Sequence, residues 1–216
     1  MAAITAPRKP AFRGVSHHVA AIVFPVMGVL LVALGRTAGV RWALVVYTLG
    51  LTAMYATSAC LHRGHWSSVV EARIRRLDHS MILVAIAATY TPVAIAALPA
   101  RTAAILLAIV WGLASVGVAM RLFWRRAPRA ATVAVYLAVG WTAVAFMPAL
   151  WHGLGVVPFA LVVLGGVVYS IGAIVYATRR PDPAPLRFGF HEVFHALVIA
   201  AGLLFYAAIA QLVVTR

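Results

Sequence analysis

Two histidines near the C-terminal end of the chain have the spacing of a metal-binding pair. His191 and His195 are four residues apart, which places both imidazoles on one face of a helix, one turn apart. Two imidazoles held in this way can bind a single metal ion. His62, four residues after Ser58, offers a third imidazole, and Asp78 offers a carboxylate. These residue types predict a metal site built mainly from histidine.

Three neutral histidines and a water molecule form the ligand set of a catalytic zinc ion. In this interpretation His62, His191 and His195 bind the metal. Asp78 would accept a hydrogen bond from the water or act as its general base, and Ser58 would be a further hydrogen-bond partner. Zinc lowers the pKa of bound water to about 7 and polarises carbonyl groups, which is hydrolytic chemistry. Other ions that bind imidazole are alternatives to zinc.

The same histidine pair also matches the pattern H-E-x-x-H, in which the glutamate is the base of a metalloprotease. Glu192 would then activate water in an intramembrane protease. Proteases of this class normally place a further acidic ligand in another apolar span, whereas Asp182 lies in the proline-rich segment 181–185. The protease is therefore the weaker alternative.

The elements that position these residues are predicted to be membrane-spanning helices. Of the 216 residues, 64% are hydrophobic and 10% are charged, and the mean hydropathy is +1.00. Soluble domains are about 45–50% apolar and about 25% charged, and disordered chains are poorer still in apolar residues. Seven segments approach or reach the roughly 17–25 apolar residues that a membrane helix needs. They are 19–34, 42–61, 79–98, 102–124, 131–150, 154–177 and 193–214. The predicted fold class is all-α and polytopic.

The first of these segments has a second interpretation. It is the shortest, it contains Pro25, and it follows the basic residues Arg8, Lys9 and Arg13. A basic stretch before a short apolar core is also the pattern of a cleaved signal peptide. Removal of this segment would leave the orientation of the other six spans unchanged.

Basic residues are distributed unequally between the two sides of the predicted spans. The net charge of +14 arises from 18 Lys and Arg residues against 4 Asp and Glu residues. Fourteen basic residues lie on one side, namely Arg8, Lys9, Arg13, Arg63, Arg73, Arg75, Arg76, Arg121, Arg125, Arg126, Arg129, Arg179, Arg180 and Arg187. The other side has only Arg36, Arg41, Arg101 and Arg216. Because cytoplasmic loops are rich in Lys and Arg, the N-terminus is predicted to be cytoplasmic and the C-terminus outside.

The charge asymmetry also bears on partners and on the site. It accounts for the basic charge without nucleic acid, for which no motif is present, and it favours contact with anionic lipid headgroups. In this topology His62, Asp78, His191 and His195 all fall at the cytoplasmic level of the membrane. The single cysteine, Cys60, excludes an intrachain disulfide and a cysteine-based zinc site.

The order of the motifs resembles that of the hemolysin III family, which belongs with the progestin and adiponectin receptors. The motifs are Ser58-x-x-x-His62, Arg76-Leu77-Asp78-His79-Ser80, Thr89-Tyr90-Thr91-Pro92 and His191-x-x-x-His195, preceded by Gly14-Val15-Ser16-His17. The resemblance covers nearly the whole chain. It implies a single seven-helix domain, residues 1–216, with a short basic cytoplasmic segment at residues 1–16. It also implies zinc bound by His62, His191 and His195, with Asp78 and Ser58 close to the water on the metal.

The resemblance further implies a function at the membrane. The wider superfamily includes alkaline ceramidases, which implies hydrolysis of a lipid amide or ester by an integral protein of the bacterial plasma membrane. A pore-forming or cytolytic protein with structural zinc is one alternative, since bacterial members carry the hemolysin name. A receptor or membrane-lipid sensor is another, although the short loops contain no recognisable signalling module. His17 and His18 are expected near the metal level but not as ligands.

Overall fold

The computed structural model describes residues 10–124 and 128–215. Most of the predicted basic N-terminal segment, residues 1–9, falls outside this part of the chain. Five of the basic residues used to predict orientation also lie outside the described residues. They are Arg8, Lys9, Arg125, Arg126 and Arg216.

Within the described residues the fold is entirely helical, which confirms the predicted all-α class. The elements are α1 (Val15–Leu34), α2 (Ala38–Arg63), α3 (Ser68–Ala97), α4 (Ala100–Phe123), α5 (Arg129–Gly140), a 3₁₀-helix (Trp141–Phe146), α6 (Met147–Leu154), α7 (Val156–Thr178) and α8 (Phe190–Thr215). Seven helical segments of this part of the chain are long and apolar enough to cross a membrane, as predicted, and the fifth combines α5, the 3₁₀-helix and α6.

Helix α3 begins earlier than the apolar span that was predicted to start at residue 79. Its first residue is Ser68, and the Ser67 hydroxyl accepts a hydrogen bond from the Val70 amide at 3.4 Å, which caps the helix. Glu71 lies in the first turn, where a negative charge interacts favourably with the helix dipole. The polar first part of α3 therefore extends the helix by about three turns and carries three arginines.

The fifth span is interrupted, although its sequence predicted one continuous helix over 131–150. The chain changes from α-helix to 3₁₀-helix after Gly140 and returns to α-helix at Met147, just before Pro148. The hydroxyl of Tyr90 accepts a hydrogen bond from the Ala143 amide at 2.9 Å and donates one to the Gly140 carbonyl at 2.5 Å. Helix α3 thereby supplies partners for backbone groups at the interruption.

Helix α3 is the central element of the bundle, in contact with α2, α4, α5 and α8, while α8 closes the bundle against α1. Small residues allow the helices to approach closely. A side chain at Gly50 would place its Cβ 2.5 Å from that of Ala88, so α2 and α3 need glycine there. The N-terminal ends of α1, α3 and α8 and the C-terminal end of α2 meet at one end of the bundle, where His17, Ser58 and His195 are buried.

Candidate metal site and adjoining cavity

Three histidines converge at this end of the bundle. His62 lies in the last turn of α2, and His191 and His195 lie in the first two turns of α8. The Nε2 atoms of His62 and His191 are 3.0 Å apart, and the ligand atoms of all three side chains lie within 4.8 Å of one another. In a tetrahedral site with Zn–N distances of about 2.0–2.1 Å, neighbouring nitrogens are about 3.3 Å apart. The three imidazoles therefore have the separation needed to share one metal ion.

The chemistry of the cluster suits a transition metal. His195 is buried, and its Nδ1 atom is enclosed without a hydrogen-bond partner. A ring nitrogen without a hydrogen-bond partner can bind a metal ion without first breaking a hydrogen bond. The cluster consists of imidazoles alone among the described residues, whereas calcium and magnesium require oxygen ligands. Zinc, with its preference for imidazole nitrogen, fits the donor set.

A row of side-chain contacts leads from this cluster toward the predicted carboxylate. The ring of His17 stacks on that of His195, with centroids 3.7 Å apart and planes 5° apart. Nδ1 of His17 is 2.8 Å from the Ser58 hydroxyl, and Ser58 lies next to the carboxyl group of Asp78. These contacts connect the histidine cluster with the surroundings of Asp78.

The structure therefore places all five predicted site residues around one end of the bundle, and it adds His17. The spacing of the candidate ligands does not point to His17, but its position on one face of α1 does. His17, Phe24, Gly28 and Leu31 are all buried in α1, and their separations place them on a single helix face. His18, on another face, is exposed, as are His65 and His152.

The acidic residues of the protease interpretation have other partners. Glu192 is buried, and its carboxylate accepts hydrogen bonds from Nε of Arg13 at 2.6 Å and from the Gly189 amide at 2.8 Å. The second of these bonds caps the start of α8, since Gly189 directly precedes the helix. Asp182 accepts a hydrogen bond from the Phe190 amide at 2.8 Å. Both acids thus stabilise the N-terminal end of α8, which disfavours a base role for Glu192.

An apolar cavity of about 170 Å³ adjoins the histidines. One end is lined by polar groups, among them Asp78, His191 and His195, and most of the remaining lining comes from apolar side chains of α3, α5, α7 and α8. The lining of α8 runs from His191 to Phe205, which is about 21 Å at 1.5 Å per residue. A long apolar space with a polar, histidine-lined end has the shape and chemistry to hold a lipid chain.

Comparison with known proteins gives matches over most of the chain. The profile of the family described as haemolysin-III related matches residues 5–206. Hemolysin-3 of Bacillus cereus is 30% identical over 195 residues, which are 89% of this chain and 86% of that protein. The Hemolysin-3 homolog of Bacillus subtilis (strain 168) is 28% identical over 188 residues, 86% of this chain and 85% of that protein.

Proposed function

The chain belongs to the haemolysin-III related family, and from this membership and its histidine cluster we propose that it is a zinc-dependent membrane hydrolase. His62, His191 and His195 bind the zinc ion, and the bond that is cleaved is an amide or ester of a lipid. One observation carries this proposal. Three imidazoles have ligand atoms within 4.8 Å of one another, and two of them, His191 and His195, line the polar end of an apolar cavity.

The residues around the cluster divide the chemistry between them. Zinc, when bound, supplies a Lewis acid that polarises the carbonyl group under attack and lowers the pKa of water. Asp78 acts as general base, since its carboxylate takes up a proton from the attacking water and returns it to the leaving group. Ser58 and His17 position Asp78 through the row of contacts. The stacking of His17 on His195 keeps the row aligned with the ligands.

The cavity indicates how a lipid substrate is held. Its apolar lining receives an acyl chain, and the bond to be cleaved then lies beside Asp78 and the histidines. Gly166 of α7 lines the cavity, and an added Cβ at this position has no neighbour within 4 Å. A larger side chain at Gly166 would therefore fill space that the substrate needs without displacing the backbone.

The proposal is tested by measuring fatty acid release from an N-acyl sphingoid lipid and from a diacylglycerol by the purified protein in detergent micelles. We expect release from at least one of them, and we expect Asp78→Asn to reduce the rate about 10²–10⁴-fold, the usual contribution of a general base. Gly166→Leu should also reduce it, whereas Gly112→Leu, equally without neighbours but outside the cavity, should not. Failure to cleave either lipid, or full activity of Asp78→Asn, would contradict the proposal.

The names of the relatives favour a second candidate function, cytolysis with a structural metal. In that case the histidines stabilise the fold, and Asp78 takes no part in chemistry. Dye release from liposomes containing the protein separates the two functions. A structural metal predicts leakage that is lost in His195→Ala and preserved in Asp78→Asn, whereas the hydrolase predicts no leakage from inert vesicles.

A further inference from the structure

A second cavity, of about 560 Å³, lies between the first part of α3 and the end of α4 and is lined largely by arginine. Arg73, Arg75 and Arg76 come from α3, and Arg121 comes from α4. The cavity is separate from the histidine cluster, and none of these arginines belongs to the proposed hydrolase chemistry. We refer to it as the basic cavity.

The basic cavity follows from the helical spacing of α3. Val69, Ala72, Arg73 and Arg76 all line it, and their separations of three and four residues place them on one face of the helix. This face belongs to the three turns by which α3 extends beyond its predicted apolar span. The extension therefore presents two guanidinium groups toward Arg121 of the neighbouring helix.

Positive charge in the basic cavity is poorly compensated. Arg75 pairs with Glu71, one turn earlier on α3. The ion pairs among the described residues are this one and Arg13–Glu192, so Arg73, Arg76 and Arg121 have no carboxylate partner there. Four guanidinium groups around one space with one carboxylate repel one another. An anion with several oxygens would offset that repulsion through charge-assisted hydrogen bonds.

Arg121 supplies the most direct sign of an anion site. Its Nη2 atom is 2.5 Å from Nδ1 of His79, and its Nη1 atom donates to the Thr132 hydroxyl at 3.0 Å. These contacts fix the plane of the guanidinium group. Its Nε atom is buried and has no hydrogen-bond partner. Because that atom is enclosed, Arg121 acts on an anion in the cavity through its fixed positive charge and not through a free donor.

From these contacts we propose that the basic cavity binds the phosphate of an anionic phospholipid headgroup. A lipid is favoured over free phosphate because an exposed apolar side chain lines the cavity. Val69, one turn before Arg73, is 61% exposed. Phosphate-binding arginines next to exposed apolar groups match the boundary between headgroups and acyl chains. This proposal does not rest on the hydrolase function.

The test measures binding of phosphatidylglycerol to the purified full-length chain in a neutral detergent, by native mass spectrometry and by thermal shift. We expect Arg73→Gln/Arg76→Gln to weaken binding at least tenfold. The matched control, Arg63→Gln/Arg187→Gln, removes two exposed arginines from the same predicted side and should change binding less than twofold. Without lipid, Arg73→Gln/Arg76→Gln should keep the melting temperature and zinc content of the wild type. If the double variant does not fold, Arg76→Gln alone should weaken binding at least threefold.

The other outcomes contradict the proposal in distinguishable ways. Equal weakening by the control variant would mean that overall charge, and not the basic cavity, attracts the lipid. A rise in melting temperature with inorganic phosphate but not with phosphatidylglycerol, absent in Arg73→Gln/Arg76→Gln, would assign the cavity to free phosphate instead of lipid. Equal binding of phosphatidylcholine would show that negative charge is not recognised.

Discussion

At the scale of single residues, Glu192 shows how position in a motif differs from role in a structure. Glu192 directly follows His191 in the pattern H-E-x-x-H. Its carboxylate nevertheless accepts hydrogen bonds from Arg13 and from the Gly189 amide. The ion pair ties the segment before α1 to the start of α8. Glu192 therefore holds the helix that carries two candidate ligands.

Replacing Glu192 by glutamine should lower stability and preserve hydrolysis. Arg13 would lose its charged acceptor, and loss of a hydrogen bond to a charged group costs about 1–3 kcal/mol. We expect Glu192→Gln to have a lower melting temperature than the wild type and the same zinc content. Glu71→Gln is the control, since its pair with Arg75 is largely exposed and such pairs contribute about 0.3–0.5 kcal/mol. If Glu192→Gln abolished hydrolysis without lowering stability, the result would support the metalloprotease interpretation, in which Glu192 is the general base.

His17 marks the limit of what spacing could predict at this scale. His191 and His195 share a helix turn, so their proximity follows from the sequence alone. His17 meets Ser58, 41 residues away, only because α1 packs against α2 and α8. Its separations from Phe24 and Leu31 place it on the same helix face as these two apolar residues, but the identity of its partners depended on the packing of three helices.

At the scale of elements, the motif Thr89-Tyr90-Thr91-Pro92 links α3 to the interrupted fifth span. The Tyr90 hydroxyl bonds with both the Ala143 amide and the Gly140 carbonyl. The interruption lies where the 3₁₀-helix lines the apolar cavity through Trp141, Ala143 and Val144. Tyr90 therefore stabilises one wall of the space proposed for the lipid.

Tyr90→Phe should destabilise the bundle by about 1–2 kcal/mol, the contribution of hydrogen bonds between helices in membranes. The measurement is the free energy of unfolding in mixed micelles. Tyr47→Phe is the matched control, because the Tyr47 hydroxyl is buried without a hydrogen-bond partner and its removal should be neutral or stabilising. Equal destabilisation by the two variants would show that Tyr90 acts through packing alone.

Hydropathy predicted the number of spans but not their internal breaks or polar extensions. The run over 131–150 is apolar throughout, so its hydropathy does not register the change in backbone bonding after Gly140, although Pro148 within it cannot donate a helix hydrogen bond. The start of α3 at Ser68 was missed for the opposite reason, since Arg73, Arg75 and Arg76 interrupt the apolar pattern. Capping by Ser67 and Glu71 extends the helix there. Hydropathy measures transfer into the bilayer, whereas both features depend on hydrogen bonds and charge at particular residues.

At the scale of the whole molecule, the basic residues act in two ways. Their unequal distribution predicts a cytoplasmic N-terminus and an outer C-terminus, and this orientation is a prediction from charge alone. Arg73, Arg76 and Arg121, all on the predicted cytoplasmic side, also line one cavity. The net charge of +14 thus combines a topological signal with a local cluster of arginines around one cavity, which a sum over the chain cannot separate.

Reporter fusions test the predicted orientation. Alkaline phosphatase fused after the C-terminal residue should be active and green fluorescent protein at the same place dark, because the seventh span is predicted to end outside. Fusion after Arg180, between the sixth and seventh spans, should give the reverse pattern. The reverse pattern at the C-terminus would overturn the orientation and would move the histidine cluster to the outer side.

The most direct test of the central claim is the metal content of the purified protein, measured by mass spectrometry with inductively coupled plasma. The account predicts about one zinc per wild-type chain, the stoichiometry of a site with three shared imidazoles. His62→Ala, His191→Ala and His195→Ala should each lose the metal, whereas His152→Ala, an exposed histidine of α6, should retain it. Wild-type protein without a bound transition metal, or full retention of zinc in His191→Ala and His195→Ala, would contradict the account.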